Sequence, residues 1–363
     1  DKKTVELNFA GRQLVRSLPK PDVLGATGFV DLYDYVERAI KVGREFFLNH
    51  HYIVSEGEIV IVDESTGRVA EGRKWSRGIH QAVEAKEGVE VTVDSGQAAR
   101  ITVQDFFRRY RFLAGMTGTA TTSAREFRKI YKLPVIDVPT NRPERRVQYE
   151  DRVFATSAAK WEAIVAEVVE LNQQGRPVLI GTKTIHHSEH LAKLLREAGI
   201  AHEVLNAHLI AEEARIVAQA GQPGRVMVAT NMAGRGTDIK LADGVAELGG
   251  LHVICTELHD SARIDRQLIG RCARPGDPGS YRFFMSAEDD ILTTGFSPDA
   301  AAKLARSAAQ AGELSNYRKV FRKAQRRVES RHYRQRMVLL HHEKQVKRMH
   351  IEMGQDPYLE SPH

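Results

Sequence analysis

Three short segments carry residue types that could handle a polyphosphate. Residues 231–239 read Asn-Met-Ala-Gly-Arg-Gly-Thr-Asp-Ile. Gly234 and Gly236 let the backbone approach a ligand closely. Arg235 offers a guanidinium to phosphate, Thr237 a hydroxyl, and Asp238 an acceptor for ribose or adenine. A Gly-rich turn with an N-capping Asp is the plainer alternative. Residues 267–277 read Gln-Leu-Ile-Gly-Arg-Cys-Ala-Arg-Pro-Gly-Asp. Arg271 and Arg274, three apart, would share a face at a helix end. Paired arginines suit the charge that develops in phosphoryl transfer. A surface arginine pair is the alternative, but the place after a βα unit and before a Pro-Gly-Asp-Pro-Gly turn favours the catalytic reading. The third segment, Gly115–Ala120, holds Thr117 and Thr119 in a tight loop that could relay a ligand's state to neighbouring elements.

Asp63-Glu64 closes the apolar run Ile59–Val62 and, on the residues alone, resembles a strand carrying a metal-binding Asp and a water-polarising Glu. No Gly-x-x-x-x-Gly-Lys-Ser/Thr occurs anywhere, so nothing here cradles β- and γ-phosphates. The residues therefore read as half of a nucleotide site. The fifteen histidines show no metal-ligand spacing, and His186-His187, His208 and His341-His342 read as surface or packing residues. Cys255 and Cys272 read as small core residues.

These segments need a frame. Pro139 to Pro143 marks a boundary. After it helices and strands alternate: a helix at 158–173, strand 177–181, a helix at 187–198, strand 203–205, a helix at 210–219, strands 226–230 and 251–255, a helix at 261–272 and strand 281–285. That alternation predicts a parallel sheet covered on both faces. Its ligands belong at the carboxyl ends of the strands, where the first of the three segments lies. Before the boundary the pattern predicts a helix at 30–47, strand 58–62, a helix at 79–87, a polar β-like stretch running to Val103, and a helix at 104–114. Beyond about residue 290 the chain reads as helix.

The balance of 42% hydrophobic and 28% charged residues is that of a globular chain with room for two or three domains. It excludes a mostly disordered, collagen-like or disulfide-stapled protein, and no apolar run is long enough to span a membrane. The net charge of +6 is concentrated at 315–350, while the remainder is close to neutral. A basic segment suits nucleic acid, anionic lipid or an acidic protein face. A packed helix with a basic outer face explains it as well, because Tyr317, Val320, Phe321, Ala324 and Val328 form an apolar stripe. The chain begins at Asp1 without Met or an apolar leader and reads as part of something longer, while its polar end, 355–363, reads as finished.

Together these segments resemble the SecA family, the ATPase motors of preprotein translocation, over most of the chain from about Val5 to Arg336. The resemblance rests on 61–68 (Ile-Val-Asp-Glu-Ser-Thr-Gly-Arg), 72–76 (Gly-Arg-Lys-Trp-Ser), 80–89, 113–120 (Leu-Ala-Gly-Met-Thr-Gly-Thr-Ala) and 138–143 (Val-Pro-Thr-Asn-Arg-Pro). It continues through 177–182, 204–207, 216–221, 229–239, 249–254 and 324–331 (Ala-Gln-Arg-Arg-Val-Glu-Ser-Arg).

The resemblance implies an α/β protein: the end of a preprotein cross-linking domain at 1–60, the last part of a first nucleotide-binding fold at 61–138, a second, RecA-like (P-loop NTPase/helicase-type) fold at 139–290, and a long-helix scaffold from 291 to 363. It implies ATP between the two folds, with Asp238 at the nucleotide, Arg235 supporting that loop, Arg271, Arg274 and Gln267 catalytic, and Thr117 and Thr119 coupling nucleotide state to motion. The phosphate loop and the Mg²⁺ ligands would lie upstream, and Asp63-Glu64 loses its metal-site reading. Implied partners are preproteins, a SecYEG-type channel and peripheral contact with the cytoplasmic membrane, with a homodimer left open. The near-neutral core and the cross-linking segment argue against nucleic acid. The chain departs from the family at Leu258 and Ile269, where arginines are usual, at Asp260, at Cys272-Ala273 and at Pro275, yet keeps both finger arginines. The alternative is a SecA-like interaction module without ATPase activity of its own.

Overall fold

The structure is a computed structural model that describes residues 5–20, 27–63, 68–70, 72–92, 101–205, 213–230, 238–274, 276–310, 317–356 and 358. The chain divides into two compact units, one formed by 1–64 with 68–96 and the other by 65–67 with 97–363.

The first unit contains α1 (Phe9–Ser17), α2 (Phe29–Glu45), β1 (Tyr52–Ser55), β2 (Glu58–Asp63), β3 (Arg68–Val69) and α3 (Ile79–Glu87). β1 and β2 form an antiparallel hairpin in which Ser55 pairs with Glu58. Glu56 and Gly57 both take positive φ, the twist that a two-residue hairpin loop needs. Val42, Tyr52, Ile59 and Val83 make its core, with Phe46 and Trp75 against them. The expected helices at 30–47 and 79–87 and the strand at 58–62 are present. The β-like stretch before Val103 lies mostly outside the described residues; its described ends, 89–92 and 101–102, form no strand.

The second unit opens with α4 (Val103–Arg108), shorter than the 104–114 expected, and α5 (Ala124–Tyr131). Its sheet uses β4 (Arg145–Gln148), β5 (Arg152–Phe154), β6 (Val178–Thr182), β7 (Glu203–Leu205), β8 (Val226–Thr230), β9 (Leu251–Cys255) and β10 (Pro278–Ser286). The order is β4-β10-β9-β6-β8-β7, with β5 continuing the β4 edge along β10. Every pairing in it is parallel, as the alternation of helices and strands requires.

Side-chain alternation divides the strands between two cores. Val178, Ile180, Val226, Val228 and Ile254 face α6 (Ser157–Gln173) and α7 (Ile185–Glu197), meeting Ile164, Val168, Leu191 and Leu195. Leu179, Met227, Val253, Cys255 and Phe283 face the other side. That side is covered by α8 (Glu213–Ala218), α9 (Ala262–Ile269), α10 (Asp290–Gly295), α11 (Pro298–Gln310) and α12 (Arg318–Glu352). The predicted stripe is the packed face of α12: Phe321, Ala324 and Val328 are buried there, with Tyr317 and Val320 half-buried beside them.

Two glycines set how closely the helices approach. A Cβ on Gly181 of β6 would lie 2.2 Å from Leu268 Cδ2, so α9 rests directly on the strand. A Cβ on Gly295 would lie 2.7 Å from the Ala324 backbone, where α10 meets α12. At 35 residues, α12 is about 50 Å long. Its distal half holds segment 102–131: Arg336 makes a two-pronged pair with Glu126 at 2.6 and 2.8 Å, Thr102 Oγ1 donates to Glu343 at 2.6 Å, and Lys347 pairs with Asp105. Among the described residues no helix is long and apolar enough to cross a membrane.

Candidate nucleotide site

The sequence places its candidates after β8 and after α9, and the fold puts β8 and β9 on either side of β6 in one parallel sheet. Gly234, Arg235, Gly236 and Thr237 lie outside the described residues. Asp238 follows them, and its Oδ1 stands 2.9 Å from Arg274 Nε. The loop after β8 and the turn after α9 therefore meet. Both side chains are more than a third exposed, so the pair contributes little stability; it marks where the two segments lie side by side. It is an ion pair without an aligned hydrogen bond at Nε.

The turn itself is tightly held. Gly270 ends α9, Ala273 takes positive φ, and the Asp277 amide donates to the Arg274 carbonyl at 2.8 Å. Gly279 leaves no room for a Cβ against the Ala273 amide, 2.6 Å away. Arg271 and Arg274 thus project from a constrained loop rather than from a continuous helix face, which corrects the helix expected to reach 272. Gln267 is on the last turn of α9, and its Oε1 is buried with no hydrogen-bond partner. Cys255 and Cys272 are buried, as expected, and burial pushes the Cys272 thiol up to about 11.

Thr119 is buried, and its Oγ1 is 3.1 Å from Thr117 Oγ1. The same turn reaches α9, since Arg266 Nη1 donates to Thr121 Oγ1 at 3.0 Å. The threonine loop and the helix of Gln267 are thereby in direct contact through two residues, Arg266 and Thr121, that sequence reasoning did not single out.

The N-terminus of α9 is fastened by groups that sequence reasoning also missed. Glu329 Oε1 of α12 accepts from Ser261 Oγ at 3.0 Å and from the Ala262 amide at 2.8 Å. Gln325 Nε2 donates to the His259 carbonyl at 2.8 Å and to Asp265 Oδ2 at 2.7 Å. Asp265 Oδ1 in turn accepts from the His259 amide at 3.0 Å and lies 2.8 Å from His259 Nδ1.

Further charges cluster just beyond β6, β9 and β10. Lys160 and Asp289 form a buried pair at 2.6 Å, His187 Nδ1 is 2.7 Å from Glu257, and Lys183 is 3.0 Å from Asp260. Burial alone would raise the Glu257 carboxyl. The His187 hydrogen bond and the charges of His187, Lys160 and Lys183 more than offset it, bringing it down to about 2. Burial pushes Asp289 up to about 6 against the pull of Lys160. Among the described residues no group of three or more His, Cys, Asp or Glu could hold a metal ion.

This geometry belongs with two family matches. Residues 1–84 match the SecA preprotein cross-linking domain, and 143–245 with 242–311 match the SecA P-loop domain. The chain belongs to the SecA family, and its parallel sheet lies within the residues that match the P-loop domain.

Among its relatives is protein translocase subunit SecA 2 of Rhodopirellula baltica, 59% identical over 99% of this chain and 56% of that protein. Protein translocase subunit SecA of Caldicellulosiruptor saccharolyticus is 48% identical over 87% of this chain and 38% of its own length. The chain therefore spans about half or less of the relatives it matches. A solved structure of the E. coli DEAD-box protein SrmB aligns with 42% of this chain and 82% of its own, at 22% identity and a TM-score of 0.31.

Proposed function

We propose that this chain is the C-terminal part of a SecA-type motor that uses ATP to move preproteins across the bacterial cytoplasmic membrane. The observation that carries the reading is the meeting of Asp238 with Arg274 at 2.9 Å. It puts Asp238, the last residue of the Gly-Arg-Gly-Thr-Asp segment, against the arginine turn. In this reading Asp238, with Gly234, Arg235, Gly236 and Thr237, lines the nucleotide. Arg271 and Arg274 neutralise charge on the phosphates, and the orphaned Gln267 Oε1 accepts a hydrogen bond from ligand or water. Thr117 and Thr119, joined to α9 through Thr121, register the nucleotide's state.

The guanidinium donors suit a polyphosphate, and the Gln267 acceptor suits a water molecule beside it. Bound ATP with Mg²⁺ supplies the phosphoanhydride whose cleavage drives the motor. In the same reading the Mg²⁺ ligands and the phosphate loop lie upstream. Residues 61–138 close the first nucleotide-binding fold, 139–290 form the second, 1–60 end the cross-linking domain, and 291–363 begin the scaffold. The large exposure of Phe112, Met116, Ile136 and Val138 supports a first fold completed by sequence from elsewhere. A SecYEG-type channel and a peripheral place at the membrane follow from the same reading.

The test is steady-state ATP hydrolysis by the chain alone and joined to the upstream half of a SecA relative. The joined protein should hydrolyse ATP, and Arg271→Ala should reduce kcat by about a thousandfold or more. A joined protein that hydrolyses ATP equally well with Arg271→Ala would sink the assignment.

A further inference from the structure

We infer that Gln325 and Glu329 of α12 are positioning residues for the arginine turn, setting the direction of α9 and hence the reach of Arg271 and Arg274. The inference rests on the motor reading above and adds the element that aims the arginines.

α9 has only eight residues, too few to hold a direction by itself. At its C-terminal end Leu268 sits against Gly181. At its N-terminal end the fastening comes from α12. Arg322, Gln325 and Glu329, spaced by three and four, share a face of that helix. Ser261 caps α9 by accepting from the Arg263 amide, and Glu329 backs that cap, accepting from Ser261 Oγ and from the Ala262 amide, with a charge that suits a helix N-terminus. Gln325 is fully used: both bonds from Nε2 go to the α9 side, to the His259 carbonyl and Asp265, and its Oε1 accepts from Arg322 Nη1 at 3.4 Å. His259, Asp265 and Gln325 are all buried.

Adhesion between α12 and the sheet is already supplied by Phe321, Ala324 and Val328. Apolar residues could have filled the remaining contact at no loss of stability. A satisfied buried polar network instead fixes one relative placement. Asp265 lies six residues before Arg271, so a tilt at the α9 N-terminus is delivered to the arginine turn. The distal half of the same helix grips segment 102–131, which contains Thr117 and Thr119, through Arg336, Glu343 and Lys347. One helix therefore holds both the threonine loop's segment and the arginine helix.

The experiment uses the chain joined in cis to the upstream half of the Rhodopirellula baltica relative, with ATP hydrolysis measured for each variant. Gln325→Leu and Glu329→Ala should each lower kcat about tenfold or more, the effect of a small misplacement of catalytic groups. The KM for ATP should stay within about twofold, since the arginines act on the transition state. Glu329→Gln, which keeps an acceptor oxygen, should retain most of the activity. In a background with both Arg271→Ala and Arg274→Ala, Gln325→Leu should cost less than about twofold more, because the groups it aims are gone.

An equal loss from Gln325→Leu in both backgrounds, or a loss carried by KM, would mean a merely structural role and overturns the inference. Glu329→Ala decides in the same way should Gln325→Leu not fold. An unaffected Arg271→Ala protein, or a joined parent without hydrolysis, overturns the motor reading and this inference with it. A strong Arg271 effect beside silent Gln325 and Glu329 variants overturns only the inference.

Discussion

A single methyl group on Gly181 tests whether α9 rests on β6 as described. An added Cβ would lie 2.2, 2.8 and 3.0 Å from Leu268 Cδ2, Cδ1 and Cγ. Ordinary carbon contact begins near 3.5 Å, so the closest pair is about 1.3 Å too near. Gly181 φ is not positive, and alanine meets no backbone strain there. Gly181→Ala should therefore pay the overpacking cost of about 1–3 kcal/mol, less a few tenths recovered from the unfolded chain. Leu268→Ala alone should cost about 2–5 kcal/mol by leaving a cavity under α9. In the double variant the new Cβ enters the space the leucine left, so the two costs should fall short of their sum by about 1–2 kcal/mol. The assay is urea unfolding followed by Trp161 fluorescence in a Trp75→Phe background, since Trp161 and Trp75 are the only tryptophans and Trp161 packs in the sheet unit. Additivity within about 0.5 kcal/mol would mean that Leu268 does not press on Gly181.

Two further outcomes concern the charges beyond the strands. Lys160→Met should strand the Asp289 carboxylate in the interior and cost about 3–5 kcal/mol in urea unfolding, whereas Lys160→Met with Asp289→Leu should recover much of that. A double variant as unstable as the single one would count against a desolvation cost. Glu257 stands at about 2 in the fold against 4.5 ordinarily. A depressed carboxyl contributes stability that is present above its unfolded value and lost as pH falls toward the folded one. That contribution is roughly 3 kcal/mol. Stability measured from about pH 6 down to about pH 3 should fall more steeply in the parent than in Glu257→Gln, and parallel curves would refute the assignment.

The central fold was legible because its strands are buried on both faces. Runs such as Val226–Thr230 and Leu251–Cys255 are mostly apolar and buried throughout, and the Trp161, Ile164, Val168, Leu171 spacing of α6 is a helix signature. What went unread is the edge. β4 begins Arg145-Arg146, is mostly exposed and has four residues; β5 has three. Neither has two apolar faces, and both exist because β10 offers its free side to them in register. The sequence predicts a helix over 104–114, yet the helix stops at Arg108. Tyr110 and Phe112 beyond it are exposed, and the described residues give that apolar content no core to join.

Of the candidate site, one contact was legible in the sequence and its support was not. Asp238 and Arg274 were named from residue type and strand position, and they do meet. Gln325 and Glu329 could not be named that way. They lie 60 to 68 residues from their partners, and within α12 they look like any polar residues between apolar ones. Their role exists only once the stripe of Phe321, Ala324 and Val328 has seated α12 on the sheet and turned the neighbouring face toward Ser261 and Asp265. The apolar period, which sequence does display, thus decides where the polar clamp falls. A change to the stripe, or at Gly295 where α10 meets Ala324, should act on the arginine turn through α12.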